Sequence, residues 1–164
     1  MIQKFKISSE KVRVMIVFLD RVENWECLYE ECSAKCCSEG IELTLEDVER
    51  ISKRHSDFFR IEDTRILLKG KDGRCIFLRD DLKCGIEDIK PVACRLLPFV
   101  IHEVRYGDEP FIKLRLVVDC PGVGYGNNVD LGEIERNATV FLHEKQELLM
   151  KLREDRNFLK NLFP

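Results

Sequence analysis

No run of this sequence is apolar for long enough to cross a bilayer. The longest runs, such as Val14-Met-Ile-Val-Phe-Leu19, fall far short of the ~20 residues a membrane helix needs. The first residues, Met-Ile-Gln-Lys-Phe-Lys-Ile-Ser-Ser-Glu-Lys, hold neither an apolar h-region nor a small-residue cleavage site. They are expected not to form a signal peptide, and the chain is expected to be cytoplasmic. There is no Lys/Arg block and no basic stripe interleaved with aromatics; 27 basic residues stand against 30 acidic ones, for a formal charge of -3. Neither nucleic acid nor a membrane is therefore an expected partner. No repeat, low-complexity tract or linker divides the chain, and 164 residues suffice for one domain (1–164) to bury a core without covalent staples. No pair of carboxylates reads as acid–base machinery, and no glycine-rich nucleotide fingerprint follows a strand. Glutamine is scarce, at Gln3 and Gln146 alone, while charged residues make up 35% of the chain. That balance is thermophile-like.

Cysteine, by contrast, is abundant. The run Cys27-Leu-Tyr-Glu-Glu-Cys32-Ser-Ala-Lys-Cys36-Cys37 is C-x4-C-x3-C-C, and Cys75, Cys84, Cys94 and Cys120 follow singly, eight in all. Thiols this dense oxidise and scavenge metal, so they point to ligands, disulfides or catalysts. In a reducing compartment the first expectation is metal or redox work. Thermophiles do keep intracellular disulfides, so a disulfide-stabilised domain stays open as an alternative.

Soft thiolates bind zinc and iron–sulfur clusters, and short flexible loops bring them together. Cys27, Cys32, Cys36 and Cys37 meet that need, with Ser33 and Gly40 nearby. Cys75, Cys84, Cys94 and Cys120 fall at expected strand ends and turns. All eight are candidate metal ligands, for two four-thiolate sites or for one site plus a reactive set. Neighbouring side chains on extended backbone point opposite ways. Cys36 and Cys37 thus suit two centres, or one centre plus a structural contact, with a strained vicinal disulfide as a third option. The plain alternative for any one of the eight is a buried hydrophobe. Zinc sites usually use two paired short-spaced knuckles; one dense run favours iron–sulfur.

The pattern predicts an α+β fold, a small domain with short hairpins, cysteine-rich ligand loops and a long C-terminal helix. Alternation of Val12, Val14, Ile16 and Phe18 predicts a strand over 10–19. Thr44 and Asp47 predict a capped helix start, stapled by Leu43 and Val48 and running to about His55. Lys71-Asp72-Gly73 predicts a hairpin between 64–69 and 74–79, with Cys75 on its second strand. Pro91 predicts a short helical turn that carries Cys94. Strands are expected over 97–105 and 111–118, and Cys120 opens the glycine-rich loop with Gly122, Gly124 and Gly126. Asp130 and Glu133 have capping-box spacing at the head of a helix over 130–160, with Ile134, Ala138, Phe141, Leu148 and Leu152 as its buried stripe.

Three segments together resemble a known family: Cys75-Ile-Phe-Leu; Cys84-Gly-Ile-Glu-Asp-Ile-Lys-Pro91-Val-Ala-Cys94-Arg95-Leu-Leu-Pro98-Phe99; and Cys120-Pro-Gly. They are similar to the CxxCxxCC, or YkgJ-like, cysteine-cluster family of zinc- or iron-chelating domains, over roughly residues 25–122. The spacing C-x4-C-x3-C-C departs from the usual C-x2-C-x2-C-C and is similar to that of the flagellin lysine N-methylase branch. Lys90 stands where the family has Arg, and Glu87 where it has Tyr. The resemblance implies a metal centre. For the methylase branch it implies an iron–sulfur cluster, of the 4Fe-4S type, working with S-adenosylmethionine on a protein substrate.

Arg95 is expected either to donate hydrogen bonds to the centre's sulfurs or to make an ordinary surface salt bridge. Pro91 and Arg95 are expected to lower the pKa of Cys94. His55, His102 and His143 are scattered and read as ordinary surface or core residues. Three functions follow: a metal-binding protein, a cluster-dependent methyltransferase or redox enzyme that uses S-adenosylmethionine, and a disulfide-held domain without metal.

Overall fold

The computed structural model describes residues 2–6, by their backbone, and 13–164. In chain order its elements are β1 (Ile2–Lys6), β2 (Arg13–Phe18), β3 (Asn24–Trp25), α1 (Tyr29–Cys32), β4 (Glu42–Leu43), α2 (Leu45–Ser52), β5 (Phe59–Glu62), β6 (Arg65–Leu68), β7 (Gly70–Lys71) and β8 (Arg74–Cys75). Two 3-10 turns (Glu87–Ile89 and Val92–Leu96), β9 (Phe99–Arg105), β10 (Phe111–Leu116), β11 (Asn127–Asn128), α3 (Leu131–Glu154) and α4 (Phe158–Leu162) follow. This is the expected α+β arrangement of short sheets with one long helix near the C-terminus.

The main sheet runs β1-β2-β10-β9. β2 lies antiparallel to β1 and parallel to β10, and β10 lies antiparallel to β9 with a register slip between Lys113 and Leu114. The period of two places Val14, Ile16 and Phe18 in the core; Val12, counted in the same alternation, lies outside the described residues. These three pack with Phe99, Ile112 and Leu114 against Ile134, Ala138 and Phe141 of α3. A second core gathers Leu43, Val48, Ile51, Ile66 and Leu68 against Leu148 and Leu152 of the same helix. α3 is therefore the spine that both cores share. The predicted stripe is buried throughout.

Local signals in the sequence are met at both helix starts. Thr44 and Asp47 form the reciprocal capping box. The Asp130 carboxylate accepts the Glu133 N–H at 3.0 Å. α3 stops at Glu154, short of the expected 160. There the Asp155 backbone turns extended (φ -141) and its carboxylate accepts the Asn157 N–H at 2.9 Å. Such a local side-chain bond competes with the helix ladder, and α4 restarts beyond it.

The expected hairpin is the larger departure. Asp72 and Gly73 do make the turn with positive φ (53 and 79), but the ladder is only Gly70–Lys71 against Arg74–Cys75. β6 pairs instead with β5 on one side and β4 on the other. Ile66, Leu67 and Leu68 are all buried, so this strand sits in the middle of its sheet and needs a partner at each edge. Cys75 remains on the second strand of the hairpin, as expected.

α3 also carries polar groups into the seam. Lys145, only 2% exposed, pairs with Glu42 of β4 at 2.7 Å. Glu144 is pushed up to about 7, chiefly by burial and then by the nearby Glu46 and Asp47 carboxylates. A raised folded-state value means the protonated form fits best. Stability is then whole below the unfolded carboxyl value of 4.5 and falls as pH rises towards 7. Glu144→Gln is expected to flatten that fall and to stabilise the protein at pH 8. Melting curves of both forms between pH 4.5 and 8 check this; parallel curves would contradict it. Among the described residues no helix is long and apolar enough to cross a membrane.

Candidate metal centre

All eight cysteines are free thiols, and the loops that carry them are held in place by contacts a local reading of sequence does not reveal. α1 ends at Ser33, which adopts a left-handed conformation, as does Ala34 after it (φ 53 and 52). Two consecutive left-handed non-glycine residues are costly. The turn holds because Ala34 is buried and its N–H bonds to the Tyr29 carbonyl at 2.8 Å. The chain turns again directly after it, where the Cys37 N–H bonds the Ala34 carbonyl at 2.9 Å.

Cys120 reaches this run from far along the sequence. Asn127 and Asn128 pair with Trp25 and Asn24. The loop between lies so close that a Cβ on Gly122 would stand 1.8 Å from the Glu26 carbonyl oxygen. Gly122 and Gly126 therefore serve close approach to Glu26, where no side chain would fit. The Trp25 indole Nε1–H donates to the Cys120 sulfur at 3.4 Å. Lys35 donates to the carbonyls of Val118 and, at 2.9 Å, Asp119. Cys27 consequently has three sulfur neighbours. Burial first, then the charges of Cys36, Cys32 and Cys120, raise its pKa. Gly122→Ala is expected to force the Cys120 loop off Glu26 and destabilise the protein by about 2 kcal/mol. A chemical melt reads this, and an unchanged midpoint would contradict the packing account.

The other four thiols, Cys37, Cys75, Cys84 and Cys94, are brought near one another by a second set of contacts. The Cys75 N–H donates to the Cys37 carbonyl at 3.0 Å. Leu78 bridges Cys84, and the Gly85 N–H bonds Phe77 at 2.8 Å. Cys75 and Cys84 both pack against the second core. Cys94 sits in the 3-10 turn begun by Pro91, and that turn is fixed by Asp47. The fully buried carboxylate accepts the Thr44 N–H at 3.0 Å and the Val92 N–H at 3.1 Å, and pairs with Arg50. Arg50 in turn donates to the carbonyls of Ile89 and Lys90. The charges of Cys75, Cys94 and Cys84 all bear on Cys37, and those of Cys75 and Cys84 on Cys94.

Thiol charges thus link Cys27 with Cys32, Cys36 and Cys120, an outer group, and Cys37 with Cys75, Cys84 and Cys94, an inner group. Cys36 donates a hydrogen bond to Cys37, which pushes the Cys36 thiol well up and holds Cys37 down. Among the described residues no group of three or more His, Cys, Asp or Glu side chains is placed to hold a metal ion. The donor type itself, thiol sulfur, suits a soft metal.

Two expectations change here. Cys94 is not lowered. Burial, then the charges of Cys75, Cys84 and Asp47, push it up to about 12, because a single 3-10 turn carries too little dipole to offset desolvation. The cation that opposes the rise is Lys90, which bears on Cys27 as well. Arg95 lies exposed, with Nε donating to the Lys90 carbonyl at 3.1 Å. The histidines stay outside both groups: His55 stacks edge-on with Phe77, His102 is exposed, and His143 lies 3.2 Å from Glu147.

The family model CxxCxxCC, described as a "putative zinc- or iron-chelating domain", matches residues 26–117, more than half of the chain. The chain belongs to the CxxCxxCC family. No curated protein and no solved structure matches it. The CxxCxxCC segment contains seven of the eight cysteines and stops short of Cys120. Glu87 and Lys90 form an ion pair with each other at 2.8 Å. Removing the Lys90 charge (Lys90→Met) is expected to weaken metal retention by about tenfold, and Arg95→Ala much less. Competition with a chelator ranks the two, and the reverse order would return the role to Arg95.

Proposed function

We propose that this CxxCxxCC chain is a thiolate metal protein with two four-cysteine centres, one at each group, and that they hold iron–sulfur clusters in preference to zinc. What supports this reading is that thiols from distant parts of the chain bear on the dense run: Cys120 on Cys27, and Cys75, Cys84 and Cys94 on Cys37. Uncomposed, the groups are unfavourable: the thiols raise one another's pKa, and a bound cation reverses that repulsion. Iron–sulfur is preferred because one dense run completed by single cysteines differs from the paired knuckles usual for zinc. A cluster held in this way supplies reversible one-electron chemistry or an electrophilic iron. The thiols need a reducing compartment, which the cytoplasm provides.

Anaerobic purification followed by iron, acid-labile sulfide and zinc analysis tests the proposal. Iron with matching sulfide is the expected result. Zinc in their place would keep the thiolate centres and change the metal. A colourless protein without either metal, whose thiols pair on oxidation without unfolding, would overturn the proposal.

A further inference from the structure

Cys36 and Cys37 are held together rather than spread apart. They lie in a turn closed by the Cys37 N–H on the Ala34 carbonyl, and the Cys36 thiol donates to the Cys37 sulfur. That turn is braced from several sides. Lys35 donates to the Asp119 carbonyl at 2.9 Å, and the Cys37 carbonyl accepts the Cys75 N–H at 3.0 Å. Arg74 donates to the Ser33 carbonyl and its backbone bridges Ser38. Both cysteines keep some exposed surface, so a small oxidant can reach them. Other thiols have other partners. The Cys32 thiol faces the Leu28 carbonyl at the head of α1 at 3.8 Å. The Cys120 sulfur accepts the Trp25 indole N–H, and the Cys75 sulfur accepts the Phe77 N–H at 3.4 Å.

We propose that Cys36 and Cys37 are a reversible redox pair, which a hydroperoxide closes into a vicinal disulfide and a dithiol reopens. The braced turn already holds the two sulfurs in contact, so closing the ring costs little further chain entropy. Cys37, which accepts the hydrogen bond, is the nucleophile, and Cys36 is the resolving thiol. The Cys37 sulfur attacks the peroxide: an S–O bond forms, the O–O bond breaks, and the thiol proton leaves on the departing alcohol or water. The Cys36 sulfur then attacks the sulfenic sulfur. The S–S bond forms, the S–O bond breaks, and water departs with the Cys36 proton. The two thiols together lose two electrons, and the peroxide gains them. Adjacent Cα atoms stand about 3.8 Å apart across a trans peptide, closer than the usual disulfide span of about 4.4–6.8 Å. The closed bond is therefore strained and easily reduced, which suits a switch and not a staple. Resting on the thiolate-metal reading, the closed form holds less metal, because each sulfur in the bond is lost as a thiolate donor, and reduction restores uptake.

The test treats the whole reduced chain, free of metal, with one equivalent of hydrogen peroxide. Remaining thiols are blocked with N-ethylmaleimide and the chain is digested with trypsin. Cleavage after Lys35 and Arg50 puts Cys36 and Cys37 on one peptide, while Cys27 and Cys32 fall on another, residues 22–35. The 36–50 peptide should lose two hydrogens and take up no label, and dithiothreitol before blocking should restore both labels. A 36–50 peptide labelled at both thiols, over-oxidised to sulfinic acid, or cross-linked to 22–35 overturns the pair. Dimedone should trap a sulfenic acid on Cys37 in Cys36→Ser and none in Cys37→Ser. Trapping on Cys36 alone contradicts the assigned order. Metal is read separately with Zn2+ alone: the closed chain should hold at least one equivalent less than the reduced chain. Equal zinc in both forms overturns the switch. A reduced chain that holds no zinc overturns the metal reading and leaves the disulfide standing.

Discussion

Cys94→Ser is expected to remove one metal equivalent and to lower the melting temperature by about 10 °C. A metal held at about a thousand times its dissociation constant stabilises the folded state by about 4 kcal/mol. For a chain of this length, each kcal/mol is worth about 2–4 °C. Cys94 is the inner thiol most dependent on fold for its place, since its turn is anchored through Val92 to Asp47. Serine keeps the shape and removes the soft donor, so the loss reports the metal and not a cavity. Differential scanning calorimetry with metal analysis on the same sample checks the expectation. Full stoichiometry and an unchanged spectrum in Cys94→Ser would mean that the Lys90–Arg95 segment lies outside the site.

Asp47→Ala is expected to cost about 3–5 kcal/mol, the loss seen when one partner of a buried ion pair is removed, with the backbone N–H groups of Thr44 and Val92 left without acceptors. Asp47 is fully buried and serves both as the capping residue of α2 and as the anchor of the Cys94 turn. Asp47→Asn separates these roles. Its oxygen can still accept from Val92, but its NH2 would face the Thr44 N–H, so the cap fails while the turn keeps one bond. A denaturant melt should place Asn between Ala and the parent, with metal retention falling in the same order. If Asp47→Ala melts like the parent, the carboxylate is not what joins the helix to the turn.

What could be read from sequence divides by range. The capping box at Thr44 and Asp47, the Asp130 cap and the α3 stripe are encoded within a few residues, and all are present in the fold. The pairing of β6 was not legible, because its partners are chosen by burial of Ile66, Leu67 and Leu68 and not by the Asp-Gly turn beside it. The cysteines show the same contrast. Cys36 and Cys37 are expected to diverge as neighbours on extended backbone, but they lie in a turn where the Cys36 thiol donates to Cys37. Which thiols join each of them depends on Trp25, Lys35 and Gly122 for Cys120, and on Asp47 for Cys94. No spacing rule encodes such contacts. Arg95 attracted notice as the neighbour of Cys94 in sequence, whereas the charge that reaches the thiols is that of Lys90. The reversal at Cys94 has the same origin: a local dipole argument takes no account of the burial and neighbouring thiols that the fold supplies.

Native mass spectrometry of the anaerobically prepared chain, compared with Cys36→Ser, Cys37→Ser and the double variant, tests most directly whether the adjacent pair serves two centres. The parent should carry two centres, each single variant one, and the double variant none, with alkylation mapping the loss to the outer group for Cys36→Ser and to the inner group for Cys37→Ser. If either single substitution strips all metal, or if both remove the same centre, the eight thiols do not form two separate fours.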